Sequence, residues 1–274
     1  MTMLVDRLDS VVRHALARQA RRLLVLGLCG AQGSGKSTLA AALSRRLAEA
    51  GTAVAMLSLD DLYRTLAERE ALARAVHPLL RTRGVPGTHD IMLGLAVIAA
   101  LERGEAAALP RFDKARDDRM PRADWPHAPA GTQVLVLEGW CVGALPQAPA
   151  ALAEPVNELE RREDAQGLWR GYVNRALAGD YQRLFARIDV LVFLAAPDFA
   201  TVYDWRKQQE DALRMRVGDD APGVMADAAL ARFVQHYERL TRHMLADMPD
   251  RADVLVELAE DRCVKRIALR EGYK

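Results

Sequence analysis

The hydrophobic positions of this chain fall into two patterns that alternate along its length. Five short runs are mostly apolar and have the length of a strand; they are residues 23–29, 52–59, 133–137, 188–194 and 252–258. Between them lie longer segments in which apolar residues recur every three or four positions, as on one face of a helix. Strands that alternate with helices are typical of a parallel sheet covered by helices on both faces. The pattern therefore predicts an α/β fold with a five-stranded parallel sheet.

The helical period identifies the segments expected to cover this sheet. They are residues 1–22, 38–50, 65–76, 91–103, 167–187, 199–217 and 227–246. Loops are expected at 77–89, 109–131 and 146–155, which are rich in Pro, Gly, Asp or Ala. The stretch 109–131 has little periodicity, and so long a structureless stretch inside a compact domain is usually functional or disordered. No repeat or low-complexity linker divides the chain, so we expect one domain over residues 1–274.

The N-terminal segment, residues 1–22, is predicted to be a packed amphipathic helix. It lacks the apolar core of a signal peptide, and Asp6 and Asp9 argue against an arginine-rich transit peptide. The chain has three cysteines, which lie far apart in the sequence. This is typical of a protein from a reducing compartment. No apolar run approaches the length that crosses a membrane. These features predict a cytoplasmic protein without a membrane segment.

Charge and aromatic content give no sign of a nucleic-acid partner. Lysine and arginine number 38 against 37 aspartates and glutamates, so the formal net charge is +1. Aromatic residues make up 5% of the chain, too few to predict a surface on which bases stack. We therefore expect a small-molecule partner; the oligomeric state stays open.

The stretch from Gly30 to Ser37 fits the phosphate-binding pattern G-x-x-x-x-G-K-[ST] at every fixed position and stands between a predicted strand and a predicted helix. Glycines let several backbone N–H groups point at one anion, and the helix N-terminus adds partial positive charge. Lys36 can reach the terminal phosphates, and the Ser37 hydroxyl can bind Mg²⁺. The predicted nucleotide-binding residues are Gly30, Ala31, Gln32, Gly33, Ser34, Gly35, Lys36, Ser37 and Thr38. Together with the sheet, this motif predicts a P-loop kinase-like three-layer sandwich with a helical lid.

Acidic residues follow two of the predicted strands, at the sheet edge where ligands of such folds bind. Asp60 and Asp61 follow residues 52–59, and such a carboxylate can either take a proton from an attacking hydroxyl or cap the next helix. From spacing alone these two interpretations are equally good. Glu138 follows residues 133–137, the usual place for a carboxylate that holds Mg²⁺. No Asn-Lys-x-Asp occurs in the chain, so ATP is expected rather than GTP.

A charged helix over Phe199–Val217 is the candidate for a lid, which we expect over residues 199–220. Arg206 and Arg214 are eight residues apart and hence near one face. Arginines on a mobile helix can close over ATP and stabilise charge on the transferred phosphoryl group. An ordinary solvated helix face is the alternative, and it suits Lys207 and Glu210 well. The histidines show no metal-ligand spacing.

Several segments resemble a known group of kinases. The sequence Ser58-x-Asp60-Asp61-x-Tyr63 is similar to the segment that activates the acceptor hydroxyl in the uridine kinase, phosphoribulokinase and pantothenate kinase superfamily. Within it, five segments resemble the plant-type D-glycerate 3-kinases and their bacterial relatives; they are residues 83–90, 110–114, 138–143, 202–210 and 237–241. The resemblance covers nearly the whole chain, and it implies an ATP- and Mg²⁺-dependent kinase.

The resemblance also implies residue roles. Asp60 corresponds to the general base, Asp90 to an acid that holds the acceptor's hydroxyls, and Ser37 and Glu138 to the Mg²⁺ positions. Arg206 and Arg214 fall in the lid. Further expected acceptor contacts are Tyr63, His89, Lys114 and Arg119. One departure is that residues 112–119 are shorter than in plant and fungal enzymes and lack their glycines, so the acceptor pocket can differ.

The charges near this pocket favour a small anionic hydroxy acid, most simply D-glycerate. Residues 111–119 carry four basic side chains, and Arg83 and His89 stand near Asp90. A carboxylate suits an arginine fork, whereas a nucleoside wants aromatic stacking, for which these loops offer only Phe112. The basic residues could instead pair with Asp113, Asp117 and Asp118 and keep a loop soluble. A nucleoside or pantothenate-like acceptor and a non-catalytic nucleotide-binding regulator stay open as alternatives.

Overall fold

A computed structural model describes residues 2–19, 23–218 and 224–273. The strands are β1 (Leu24–Gly30), β2 (Val54–Ser58), β3 (Ala107–Ala108), β4 (Phe112–Asp113), β5 (Asp118–Arg119), β6 (His127–Ala128), β7 (Val134–Gly139), β8 (Val190–Ala195), β9 (Val254–Leu258) and β10 (Val264–Leu269). The main sheet has the order β10-β9-β8-β1-β7-β2. Its five long parallel strands are the five predicted ones, and every residue of β1, β7 and β8 is buried. The predicted parallel α/β sheet is confirmed.

The sheet has a sixth strand that the sequence pattern did not predict. β10 pairs antiparallel with β9 at the edge of the sheet. Its residues are exposed or half-buried and include Lys265 and Arg266, so no apolar run marks it. An edge strand that faces solvent needs no continuous hydrophobic sequence, and charges there prevent pairing with other chains. The prediction of five strands was therefore one strand short.

Helices cover both faces of the sheet. They are α1 (Thr2–Arg18), α2 (Lys36–Glu49), α3 (Leu66–Ala75), α4 (Ile91–Glu102), α5 (Glu158–Glu163), α6 (Leu168–Ala176), α7 (Gln182–Phe185), α8 (Phe199–Val217) and α9 (Asp227–Asp247). One hydrophobic cluster joins the sheet to α1, α2 and α8, and a second joins it to α4, α7 and α9. The molecule thus has the predicted three layers. No helix within the described ranges is long and apolar enough to span a membrane.

Two expected elements differ in the structure. The helix expected over 167–187 is divided into α6 and α7 by a π-turn at Leu177–Tyr181, where Gly179 leaves helical geometry. The loop expected over 109–131 contains a small hairpin, in which Phe112 pairs with Arg119 and Asp113 with Asp118. Asp117 closes that hairpin with a positive φ of 55°. Of the expected lid and N-terminal helix, residues 219–220, 1 and 20–22 lie outside the described ranges.

Strand register brings the predicted site residues to one edge. Glu138, near the end of β7, is paired with Leu28 of β1 on one side and with Ser58 of β2 on the other. β1 runs directly into the phosphate-loop sequence and β2 into Asp60. The position of β7 between β1 and β2 therefore places the predicted phosphate, metal and acceptor residues side by side.

Candidate active site

The phosphate loop joins β1 to α2 by a turn that depends on its glycines. Gly33 and Gly35 have φ angles of +78° and +86°, which other residues rarely adopt. A Cβ at Gly30 would lie 2.7 Å from the Ser34 hydroxyl, and one at Gly33 would lie 2.6 Å from the Cβ of Trp205. The loop is consequently held tightly between its own serine and the helix α8.

This turn presents the geometry of an anion site. Gly35 is the N-cap of α2 and supplies no side-chain cap, and the first N–H groups of a helix have no intrahelical partners. The helix dipole adds partial positive charge at the same point. The buried Ser34 hydroxyl has no hydrogen-bond partner within the described part of the chain. Phosphate oxygens are the natural acceptors for these donors.

The Ser37 hydroxyl and the Glu138 carboxylate lie together at the base of the phosphate loop. Ser37 Oγ donates to Glu138 Oε1 over 3.2 Å. Glu138 is only 6% exposed, and its buried Oε2 finds no partner among the described residues. An orphaned carboxylate oxygen beside a hydroxyl fits Mg²⁺, which is usually held by one or two carboxylates with phosphate and water completing its shell. Such a site has only two protein ligands. The described part of the chain contains no group of three or more His, Cys, Asp or Glu side chains that could hold a metal.

The geometry distinguishes Asp60 from Asp61, which position after a strand could not do by itself. The short turn Leu59–Leu62 is capped by Ser58, whose hydroxyl accepts from the Asp60 N–H, and α3 is capped by Thr65. The Asp61 carboxylate accepts from the Phe112 N–H and from Arg111, at 3.1 Å each, and anchors the hairpin. Neither aspartate is a helix cap, and Asp60 is the one whose pKa the charge of the phosphate-loop lysine helps to lower.

The Asp60 carboxylate is held by two side chains. Oδ1 accepts from the Tyr63 hydroxyl at 2.7 Å, and Oδ2 accepts from Lys114 Nζ at 2.6 Å. Burial acts to raise the pKa of Asp60, but the charges of Lys114 and Lys36 outweigh it and lower the pKa to about 2. Asp60 is therefore an ionised carboxylate at neutral pH, placed within electrostatic reach of the phosphate-loop lysine.

Asp90 and Arg119 form a second charged pair in the same cleft. Asp90 Oδ1 caps α4 by accepting from the Leu93 N–H at 3.1 Å, and Oδ2 lies 3.4 Å from Arg119 Nη2. Arg119 also donates to the Tyr63 carbonyl, at 3.0 Å, and its buried Nε lacks a partner in the described part of the structure. The cleft thus has donor capacity that its own residues do not use.

Tyr63 and His89 form the base of the cleft. His89 is buried, stacks on Tyr63 with ring centroids 4.6 Å apart, and shares a 2.5 Å hydrogen bond through Nδ1 with the Tyr181 hydroxyl. Burial lowers the pKa of His89 to about 3, so the ring is neutral. The phenol of Tyr63 reaches Asp60 and packs edge-on against Phe112. Both rings are engaged with protein neighbours rather than standing free.

The basic residues on and beside the hairpin divide into two groups. Arg83 and Arg69 form ion pairs with Asp117, and the Arg83 guanidinium lies over the Phe112 ring. Lys114 and Arg119 instead reach back to Asp60 and Asp90. The interpretation of these charges as mutual pairs that keep a loop soluble therefore holds for Arg83 but not for Lys114 or Arg119.

The described contacts of the two predicted lid arginines lie in and beside α8 rather than in this cleft. Arg206 pairs with Glu210 at 2.7 Å and lies over the Phe233 ring, and Arg214 contacts Asp211 and the Met225 carbonyl. None of these contacts is with Asp60 or Lys36. Trp205 is the residue of α8 that touches the phosphate loop, at Gly33.

Arg262 contacts the phosphate loop, which the sequence gave no reason to expect. It lies in the turn between β9 and β10 with a φ of +68°. Its Nε donates to the Gly33 carbonyl at 2.7 Å, its Nη2 donates to Gln208 Oε1 at 2.8 Å, and its guanidinium lies over Trp205. A single arginine in an exposed turn carries no sequence signal, since only the missed strand β10 brings it to the loop.

A cavity of about 860 Å³ borders the phosphate loop. Ser34, Gly35 and Leu39 form one wall, α1 a second, and the turn and strand from Asp261 to Ile267 a third. Asp60, Asp90 and Glu138 do not line it. The cavity and the charged cleft are therefore distinct, and the phosphate loop borders the cavity at Ser34 and Gly35.

Comparison with known proteins gives consistent similarities. Residues 25–144 match the family described as Phosphoribulokinase / Uridine kinase family. The chain is 40% identical over 227 residues to the uncharacterized kinase mug58 of Schizosaccharomyces pombe, covering 79% of each chain. It is 33% identical over 226 residues to the chloroplastic D-glycerate 3-kinase of Arabidopsis thaliana, covering 78% of this chain and 46% of that one. The structure of D-glycerate 3-kinase from Cryptococcus neoformans var. grubii superposes with a TM-score of 0.81 at 25% identity, over 97% of this chain and 99% of the other.

Proposed function

The chain belongs to the phosphoribulokinase/uridine kinase family of ATP-dependent small-molecule kinases, and we propose that it phosphorylates a hydroxyl of a small hydroxy acid, with D-glycerate as the first candidate. The observation that carries this proposal is the pairing of Lys114 with Asp60 and of Arg119 with Asp90 across one cleft beside the phosphate loop. We treat residues 1–274 as a single kinase domain in which α8 serves as the lid.

The nucleotide is assigned to the phosphate loop. In this proposal the triphosphate lies on Gly30 to Thr38, where backbone N–H groups and Lys36 offset its charge. Ser37 and Glu138 would hold Mg²⁺, which when bound neutralises charge on the β- and γ-phosphates. The nucleoside would occupy the cavity of about 860 Å³ beside Ser34 and Gly35, which Asp60 does not line.

Asp60 is the proposed general base. Its ionised carboxylate accepts the proton of the acceptor hydroxyl while that oxygen forms a bond to the γ-phosphorus. The bond between the γ-phosphorus and the oxygen bridging to the β-phosphate breaks, and ADP leaves with the electron pair. Such transfers depend mainly on positioning and charge stabilisation, which Lys36 supplies on the phosphate side and a closing lid would complete.

The charges of the cleft favour a short anion with hydroxyl groups. Lys114 is 60% exposed, and the buried Nε–H of Arg119 has no partner among the described residues. A carboxylate of the acceptor can therefore form an ion pair with either side chain. Asp60 and Asp90 can then accept hydroxyl hydrogens from the rest of the molecule. The aromatic rings nearby, of Tyr63, His89 and Phe112, are buried against one another and leave no flat face for a base. Two similar proteins that carry the name D-glycerate 3-kinase support the same choice.

A panel of acceptors tests the proposal directly. ADP release is measured with D-glycerate, L-glycerate, uridine and pantothenate, each at several concentrations. We expect D-glycerate to give the highest kcat/KM, by about tenfold or more over the neutral nucleoside, which corresponds to one charge-assisted hydrogen bond. A tenfold preference for uridine or pantothenate would contradict the proposed hydroxy-acid acceptor and leave the kinase activity standing. ATP turnover that ignored every acceptor would favour a binding protein instead.

A further inference from the structure

Tyr237 of α9 lies buried between the parts of the site. It is 3% exposed, and its hydroxyl donates to the Arg83 carbonyl at 3.0 Å. Arg83 begins the acceptor loop, by which we mean residues 83–90, ending at Asp90. The next residue, Gly84, has a φ of +129°, and a Cβ there would lie 2.0 Å from the Tyr237 hydroxyl. The glycine thus leaves room for the phenol to reach the loop backbone.

The same hydroxyl also faces the phosphate loop. The Gln32 side chain lies close enough to lower the pKa of this phenol, and Gln32 Oε1 is buried without a partner in the described residues. Burial and the charge of Asp60 raise the pKa of Tyr237, so the phenol stays protonated and remains a donor to Arg83. One hydroxyl therefore links a residue of the phosphate loop to the start of the acceptor loop.

The ring of Tyr237 is fixed by two further aromatic residues. Trp140, two residues after Glu138, meets it edge-on with centroids 4.9 Å apart and donates from Nε1 to the Gly84 carbonyl at 2.8 Å. Phe233 lies 5.1 Å away on the other side and carries the Arg206 guanidinium over its own face. Contacts from Tyr237 thus extend to the metal-side strand β7 and to α8.

From these contacts we propose that Tyr237 is a positioning residue that couples nucleotide binding at the phosphate loop to the order of the acceptor loop. A phosphate held on residues 30–38 fixes Gln32, Gln32 orients the Tyr237 hydroxyl, and the hydroxyl holds Arg83 and Gly84. Asp90 at the far end of that loop is then presented to the acceptor. The proposal rests on the proposed kinase function but does not depend on which acceptor is used.

The test uses variants that keep the packing and remove the polar groups of the two side chains. Tyr237→Phe retains the ring between Trp140 and Phe233, and Gln32→Met removes the amide at a variable position of the phosphate-binding pattern. Thr132→Val is the matched control, because Thr132 is equally buried and donates from its hydroxyl to the Pro129 carbonyl at 2.7 Å, at the opposite end of β7 from Glu138. All three are expected to fold with somewhat lower melting temperatures.

Two readouts separate coupling from mere stability. Amide hydrogen exchange of residues 83–90 is followed with and without a slowly hydrolysed ATP analogue and Mg²⁺. In the wild type and in Thr132→Val the analogue should slow exchange of this loop; in Tyr237→Phe that slowing should fall by about tenfold, the value of one hydrogen bond, while residues 30–38 stay protected. With the acceptor found in the panel, Tyr237→Phe should lower kcat by about tenfold and leave KM for ATP within about twofold.

The variant pair sharpens the result. If Tyr237 and Gln32 act as one unit, Tyr237→Phe with Gln32→Met should lose about as much activity as either change alone. Full additivity of the two effects would overturn the coupling. So would a Tyr237→Phe protein whose loop protection and kcat match those of Thr132→Val. A wild-type protein that turns over no acceptor would reject the proposed function, and the exchange data would still decide the role of Tyr237.

Discussion

The phosphate loop and the acceptor cleft lie at the same edge of the same sheet but are built by different means. The phosphate loop is one contiguous stretch, Gly30 to Thr38, whose donors are mainly backbone N–H groups set by glycine conformations. The acceptor cleft collects side chains from the end of β2, the loop before α4 and the hairpin of β4 and β5, and it is closed by the two ion pairs of Lys114 and Arg119.

The difference has a consequence for function. A site made of backbone N–H groups forms wherever its motif occurs, so it determines that phosphate binds but not which reaction follows. A cleft assembled from distant side chains can change its ligand through single substitutions. We therefore expect changes in the phosphate loop to remove all activity alike, whereas changes in the cleft should separate the kinetic constants of the acceptor from those of ATP.

The largest effect is expected from Lys36, the one side chain on which the phosphate loop depends. Lys36→Ala should take ATP turnover below detection, because the charge offsetting the γ-phosphoryl is lost. Lys36 lies at the surface end of α2 and is half-buried, so the fold should persist. Turnover by ADP release and folding by circular dichroism check this. A folded variant with undiminished turnover would remove the kinase interpretation altogether.

Asp60→Asn is expected to come next and to act on the acceptor side alone. Loss of a general base typically costs about 10² to 10⁴ in rate, so kcat should fall by that amount while the affinity for ATP is kept. Nucleotide titration and steady-state kinetics measure the two quantities. If the variant altered only the Mg²⁺ requirement, Asp60 would belong with Glu138 in the metal site.

The acid limb of the pH profile gives a second view of Asp60. Because its pKa is lowered from 3.8 to about 2, its protonation should limit kcat/KM only at very acidic pH. Its contribution to stability has the same sign: it is present above pH 3.8 and is lost as the pH falls through about 2. Lys114→Met removes one of the two charges that offset burial, so it should move the acid limb to higher pH. A limb that stayed in place would mean that Lys114 does not control the base.

The sequence predicted the two regions unequally, for physical reasons. The phosphate loop, Glu138 and the parallel strands follow from local pattern, since each is a contiguous signal. Spacing alone could not tell Asp60 from Asp61; the resemblance chose Asp60, and the hairpin that binds Asp61 gives the physical reason. Strand β10 carries no apolar run, and with it Arg262 was missed. Tyr237 had no distinguishing spacing; its place follows from how α9 crosses the sheet.

Arg119→Met should have a smaller effect, confined to the acceptor. A hydrogen bond to a charged group is worth about 1.5 to 3 kcal/mol, so KM for the acceptor should rise by about tenfold to a hundredfold while KM for ATP changes little. Arg116→Met is the matched control, because Arg116 lies exposed at the tip of the same hairpin. Steady-state kinetics with both substrates varied measure this. Equal changes in the two KM values would place Arg119 outside the acceptor pocket.

The smallest effect is expected at Arg206. Its guanidinium pairs with Glu210 at 2.7 Å, so it could act on the phosphoryl group only after α8 closes and the arginine changes partner. An interaction made only in the transition state lowers kcat without raising KM. Since one partner is lost as another is gained, the net loss in kcat should be about fivefold to tenfold.

Arg206→Ala tests this against Lys207→Ala, whose side chain pairs only with Asp211 and Asp227 among the described contacts. Hydrogen exchange in Phe199–Val217 should slow when the ATP analogue and acceptor bind together. Exchange that ignores both ligands, with a kcat equal to that of Lys207→Ala, would leave α8 as a fixed wall of the phosphate loop, held there by Trp205 against Gly33.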